Sequence, residues 1–93
     1  MHYTYVLLSE TDRRFYTVAI SDLRKRLAQH TAGHVRSTAY RRPLRLVYYE
    51  ACLSLEDAFR RERYLKTAKG GRYLRQRVAA WLARTWPDKL EWH

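Results

Sequence analysis

Two segments near the N-terminus alternate apolar or aromatic residues with polar ones, which is the period of a β-strand with one buried face. They are residues 3–9 and Phe15–Ile20, and the polar stretch 10–14 joins them. A short polar connection between two strand patterns predicts a β-hairpin. A third segment, Leu44–Cys52, is rich in tyrosine, aliphatic and β-branched residues and predicts a third strand.

Between and after these segments, apolar residues recur every three or four positions, as on the buried face of a helix. We predict three helices, over residues 22–31, 54–66 and 72–84. Ser21 is the expected N-cap of the first helix and Gly33 its stop, while Gly70 and Gly71 are expected to separate the second helix from the third. The predicted fold is α+β, a three-stranded antiparallel sheet flanked by three helices in the order β-β-α-β-α-α.

The charge of the chain indicates the class of its partner. Its 93 residues include 19 Lys and Arg against 9 Asp and Glu, a formal net charge of +10. Because this excess lies along the whole chain, it predicts a polyanionic partner, nucleic acid above all. We expect one domain over residues 1–84 and a short C-terminal tail over residues 85–93.

The sequence also argues against several classes of protein. No segment approaches the length of a membrane-spanning helix and no signal peptide is recognisable, so we expect a cytoplasmic protein without membrane contact. Cys52 is the only cysteine, which excludes an intramolecular disulfide and a cysteine-based structural zinc site.

One carboxylate lies on the predicted buried face of the second helix. That face consists of Leu55, Ala58, Phe59 and Leu65, and Glu62 falls inside it at helical spacing. Because burial of an unpaired carboxylate is costly, Glu62 needs a basic partner, a metal ion or a place in a cleft at the edge of the core. The pattern leaves these three alternatives open.

The first predicted helix carries a polar row beside its apolar face. Asp22, Arg26 and His30 follow one another at four-residue spacing. Spacing alone predicts a solvated Asp22–Arg26 pair and an exposed histidine. On the hairpin, Tyr5 and Tyr16 lie on neighbouring strands, where ordinary cross-strand aromatic packing would explain them.

Taken in order, these residues resemble the motif of the GIY-YIG nuclease family, in which two strand tyrosines precede a helical arginine and a later glutamate. Residues 3–5 (Tyr-Thr-Tyr) stand in the place of the GIY triplet, and residues 16–18 (Tyr-Thr-Val) in that of YIG. Arg26 follows Tyr16 by ten residues, and His30 comes four residues later. The resemblance covers residues 3–78. Over this range the chain is similar to the small single-domain bacterial members and to the nuclease domain of the excision-repair subunit.

The resemblance implies a metal-dependent endonuclease that hydrolyses phosphodiester bonds in DNA, with DNA repair as its setting. It implies five catalytic residues, Tyr5, Tyr16, Arg26, His30 and Glu62. Glu62 would bind one divalent cation, Mg²⁺ or Mn²⁺, and Arg26 would hold the phosphate. One of the two tyrosines would help to activate water, and His30 would accept its proton or orient it.

The chain departs from the family pattern at three points. Val18 replaces the YIG glycine, Tyr3 replaces the first glycine of GIY, and the chain contains no asparagine where excision-repair members have a late one. These differences define an alternative: a catalytically weakened nucleic-acid-binding module that keeps the fold. Many family members also carry a separate DNA-binding domain, so a protein partner that supplies specificity is a further expectation.

Overall fold

A computed structural model describes residues 1–85 of the chain. Its three strands are β1 (His2–Ser9), β2 (Phe15–Ile20) and β3 (Leu44–Cys52). They form one antiparallel sheet in the order β2-β1-β3, which confirms the predicted hairpin. The order makes β1 the central strand and leaves one edge of β2 unpaired within the sheet.

Residues 1–85 contain four α-helices, one more than predicted. They are α1 (Leu23–Thr31), α2 (Leu55–Leu65), α3 (Ala68–Arg77) and α4 (Ala79–Thr85), with a 3₁₀ turn at Ala39–Arg41 before β3. The α+β class is confirmed. None of the helices in residues 1–85 is long and apolar enough to cross a membrane. Thr85, the first residue of the predicted tail, ends α4, and the rest of that tail lies outside the described residues.

The two faces of β1 contact different helices. On one face, Val6 packs with Leu65 and Leu74 of α2 and α3, and Leu8 packs near α4. On the other face, Tyr5 contacts α1 through a hydrogen bond to His30. Thus α1 lies on one face of the sheet and the other three helices lie on the opposite face. Side chains of α1 and α2 meet beside the free edge of β2.

The N-cap of α1 was predicted at the wrong residue. Asp22, not Ser21, is the cap, and its carboxylate accepts a hydrogen bond from the backbone N–H of Lys25 at 3.0 Å. The Ser21 hydroxyl is instead 2.8 Å from a ring nitrogen of His2. Gly33 does stop the helix, with a φ of 81° in the left-handed region that glycine favours.

The break expected at Gly70 and Gly71 is also wrong, because both residues lie inside α3. The helix begins after Thr67, whose hydroxyl accepts a hydrogen bond from the Gly70 N–H at 3.0 Å. A Cβ at position 70 would lie 1.9 Å from the Tyr64 carbonyl oxygen. Gly70 therefore lets α3 pack closely against the last turn of α2, rather than ending a helix.

The predicted third helix is divided at Val78, whose φ and ψ of −108° and 12° are not helical. The apolar face expected for that helix, Leu74, Val78, Trp81 and Leu82, nevertheless packs on the core: Trp81 is half-buried and the other three are buried. Residues on both sides of the division still pack on β1, Leu74 against Val6 and Leu82 against Leu8.

The two glycines of α3 give a matched test of this packing. Gly70→Ala should lower the free energy of unfolding by about 1–3 kcal/mol, the usual cost of overpacking, because its methyl group meets backbone atoms of α2. Gly71→Ala meets only a distant arginine side chain, so it should stabilise by about 0.5–1 kcal/mol through helix propensity. Urea denaturation of both variants measures the difference, and equal effects would contradict the close approach at Gly70.

Candidate active site

A cleft of about 430 Å³ lies along the free edge of β2, between α1 and α2. Its lining comes from Phe15–Val18 of the strand, Arg26 and His30 of α1, Val35, Ser37 and Thr38 of the following loop, and Glu62 and Lys66 of the α2 region. Four of the five predicted site residues therefore share one cavity, and Tyr5 lies behind it.

Arg26 carries the unsatisfied donor of this cleft. One terminal nitrogen donates to the Gln29 side chain at 3.2 Å. Its Nε is buried and has no hydrogen-bond partner among the described residues. A buried guanidinium donor without an acceptor is costly, and an anion in the cleft would remove that cost.

His30 is 1% exposed, so the prediction of an exposed histidine from helix spacing is wrong. Its Nδ1 lies 2.7 Å from the Thr38 hydroxyl and its Nε2 lies 3.0 Å from the Tyr5 hydroxyl. Burial, with a smaller contribution from the charge of Arg26, lowers the pKa of His30. A neutral imidazole with both nitrogens bonded is therefore the state that the fold selects.

The two candidate tyrosines have different surroundings. Tyr5 on the central strand is 0% exposed, and burial raises its pKa to about 12 despite the opposing effect of Arg26. Tyr16 on the edge strand lines the cleft, and its hydroxyl donates to the Asp12 carboxylate at 2.5 Å. Burial first, and then Asp12, raise the pKa of Tyr16.

Glu62 has two of the three surroundings that the sequence left open, a basic partner and a place in a cleft at the edge of the core. Its side chain is 21% exposed and accepts a hydrogen bond from Lys66 at 3.0 Å. The predicted apolar face around it is only half buried, since Leu55 and Phe59 are 37% and 42% exposed. Within residues 1–85, no group of three His, Cys, Asp or Glu residues is arranged to hold a metal ion.

The expected Asp22–Arg26 pair is replaced by other contacts. Asp22 caps α1, while Arg26 turns toward Gln29 and the cleft. Sequence reasoning missed Asp12 and Thr38, which hydrogen-bond to the site residues Tyr16 and His30. Both lie in polar connecting segments, where local patterns give no sign of a partner on another element.

Val18 stands on the cleft wall in a regular part of β2. It pairs with Tyr5 in the strand register, and position 18 is not among the residues with a positive φ. The valine is therefore compatible with the backbone here, and its side chain lines the cleft.

Comparison with known proteins gives the family. A family model described as the GIY-YIG catalytic domain matches residues 1–74. UPF0213 proteins of Streptococcus pyogenes serotypes M5 (strain Manfredo), M3 (strain SSI-1) and M1 are 44% identical over 68 residues, covering 72% of this chain and 73% of theirs. No solved structure matches.

The family match makes this α+β fold, with its cleft at a sheet edge, a nuclease-type domain. The chain belongs to the GIY-YIG family, and its relatives are small UPF0213 proteins. Family members generally use a divalent metal ion and bind nucleic acid.

The buried His30 gives a pH test of this geometry. In the unfolded chain a histidine titrates near pH 6.5, whereas the folded state holds the pKa of His30 below that value. Stabilisation by neutral His30 is therefore complete above about pH 6.5 and is lost as the pH falls below it. The free energy of unfolding of the native chain should fall more steeply from pH 7 to pH 5 than that of His30→Gln. His34→Gln removes an exposed histidine as a control, and parallel curves for the native chain and His30→Gln would refute the assignment.

Proposed function

We propose that this protein is a metal-dependent endonuclease that hydrolyses phosphodiester bonds in DNA at the β2 cleft. The observation that carries the proposal is the buried, unpartnered Nε of Arg26 in a cavity that also contains Glu62. The positively charged donor of Arg26 suits a phosphate, and the carboxylate of Glu62 suits a metal cation. The net charge of +10 favours DNA as the polyanion.

Arg26 binds the phosphate in this proposal. Its guanidinium is permanently charged and planar, and one terminal nitrogen is already fixed by Gln29. The free Nε can then donate to a phosphate oxygen without further ordering of the side chain. A preorganised donor of this kind stabilises charge that develops on the phosphate in the transition state.

Glu62 fits a magnesium site built from one protein carboxylate. Mg²⁺ commonly keeps several waters and substrate phosphate oxygens as its other ligands, so a lone glutamate facing an open cavity is sufficient; Mn²⁺ can take the same place. The competing Lys66 is 56% exposed, and an exposed pair of this kind is weak enough to separate when an ion binds. When bound, the ion supplies Lewis-acid polarisation of the phosphate.

Tyr16 is the tyrosine that contacts the attacking water in this proposal. It lines the cleft, whereas Tyr5 is completely buried and hydrogen-bonded to His30. Tyr5 and His30 instead support the floor of the site beside Arg26. Sequence specificity is left to the structure of the DNA or to a partner protein.

Single substitutions test the proposed roles of the Glu62 carboxylate and the Arg26 guanidinium. With Mg²⁺ or Mn²⁺, Glu62→Gln and Arg26→Ala should each reduce cleavage of labelled DNA by roughly 100-fold or more. Glu56→Gln changes an exposed carboxylate on the same helix and should cleave like the native chain. Branched, single-stranded and duplex substrates are compared in one gel assay. Undiminished cleavage by Glu62→Gln would remove that residue from the site.

A catalytically weakened binding module remains the second candidate, and the placement of Val18 on the cleft wall favours it. In that case the native chain binds DNA with little cleavage, and Val18→Gly, which widens the cleft, should increase cleavage at least tenfold. Val47→Gly, at a half-buried position on β3, is the control for loss of a strand valine. Efficient cleavage by the native chain that Val18→Gly does not improve would reject the module.

A further inference from the structure

Asp12 has two carboxylate oxygens with different partners. Its Oδ1 accepts the backbone N–H of Arg14 at 3.0 Å, which is an ordinary contact in a turn. Its Oδ2 accepts the hydroxyl proton of Tyr16 at 2.5 Å. The turn needs only the first oxygen, so the second is available for chemistry at the cleft.

The surroundings hold this carboxylate in place. Arg41 of the 3₁₀ turn lies 3.3 Å from Oδ2 and stands 5.7 Å from the Tyr16 ring centroid. The Arg41 carbonyl in turn accepts a hydrogen bond from Ser9 at 2.6 Å. Arg41, Asp12 and Tyr16 therefore form a connected row, in which one group orients the acceptor and the acceptor orients the phenol.

We propose that Asp12 is the final acceptor of the proton that Tyr16 removes from the attacking water. This inference rests on the proposed function, and it deepens it by adding a residue outside the family motif. A lone phenol is a poor base near neutral pH, whereas a phenol that passes its own proton to a carboxylate is not limited in that way.

The proton balance of the step is complete. As the water oxygen attacks phosphorus, one water O–H bond breaks and its proton joins the Tyr16 oxygen. The original Tyr16 hydroxyl proton moves to Oδ2 of Asp12, so tyrosine ends neutral and aspartate ends protonated. The P–O bond to the leaving oxygen breaks with its electron pair, solvent protonates that oxygen, and Asp12 later returns its proton to solvent.

The charges around the pair set its resting protonation state. Burial acts to raise the pKa of Asp12, but hydrogen bonds from Tyr16, Arg14 and Ser9 and the charge of Arg41 together lower it. At rest Asp12 is thus ionised and Tyr16, whose pKa is raised, is neutral. Because these shifts oppose movement of the proton onto Asp12, the transfer accompanies the attack of water on phosphorus and does not precede it. Arg14 and Arg41 are the cations that act on Tyr16.

The test is the isosteric substitution Asp12→Asn in the full chain. Asparagine keeps one oxygen for the Arg14 N–H and places its amide nitrogen, which cannot take a proton, beside Tyr16, so kcat should fall about 100-fold. Asp12→Glu should recover part of the loss. Glu10→Gln neutralises a carboxylate of the same connection, paired with Arg45 at 3.5 Å, and should leave kcat unchanged.

A double-mutant cycle separates the relay from a structural role. Tyr16→Phe in the Asp12→Asn background should cost little more than either change alone, because the two groups act as one unit. If Tyr16 worked alone as a phenolate, Asp12→Asn would lower the pKa of Tyr16 and speed cleavage. Cleavage by Asp12→Asn that equals or exceeds that of the native chain would therefore overturn the inference. Absence of cleavage by the native chain would instead refute the proposed function itself.

Discussion

The geometry of the cleft depends on His30, a buried histidine whose two ring nitrogens are both engaged. Through Tyr5 it ties α1 to the central strand, and through Thr38 it ties α1 to the loop that leads to β3. Because a buried ring with a free nitrogen would be costly, the rotation of α1 is fixed by these two contacts. Arg26, one turn earlier on α1, is thereby aimed along the edge of β2.

The position of the cleft follows from the order of the strands. Pairing of β3 with β1 makes β1 central and buries Tyr5, while β2 keeps one free edge where Tyr16 is accessible. The two tyrosines thus have equivalent places in the hairpin pattern but different chemistry. Burial excludes Tyr5 from solvent, and the open edge exposes Tyr16 to a substrate.

Local patterns were sufficient for the strands, because alternation and β-branched residues record burial directly; Leu44–Cys52 and Phe15–Ile20 match the structure. Local patterns were insufficient where a residue contacts a partner that is distant in the sequence. Gly70 looks like a helix break in sequence, yet it is small because Tyr64 of the preceding helix lies against it. The polar connection 10–14 gave no sign of Asp12 as a partner of Tyr16, since a turn aspartate is usual there. Family resemblance, rather than spacing, pointed to His30 as more than a surface group.

An open strand edge is normally a hazard, because its unpaired backbone groups can pair with another chain. Here Arg26 and Lys66 line the cleft at that edge, and the whole chain carries a charge of +10. Charged side chains are a common protection of such edges. The same charges favour a polyanion at that edge. If the proposed function holds, the same side chains protect the strand and attract the substrate, and a substitution that neutralises them weakens both.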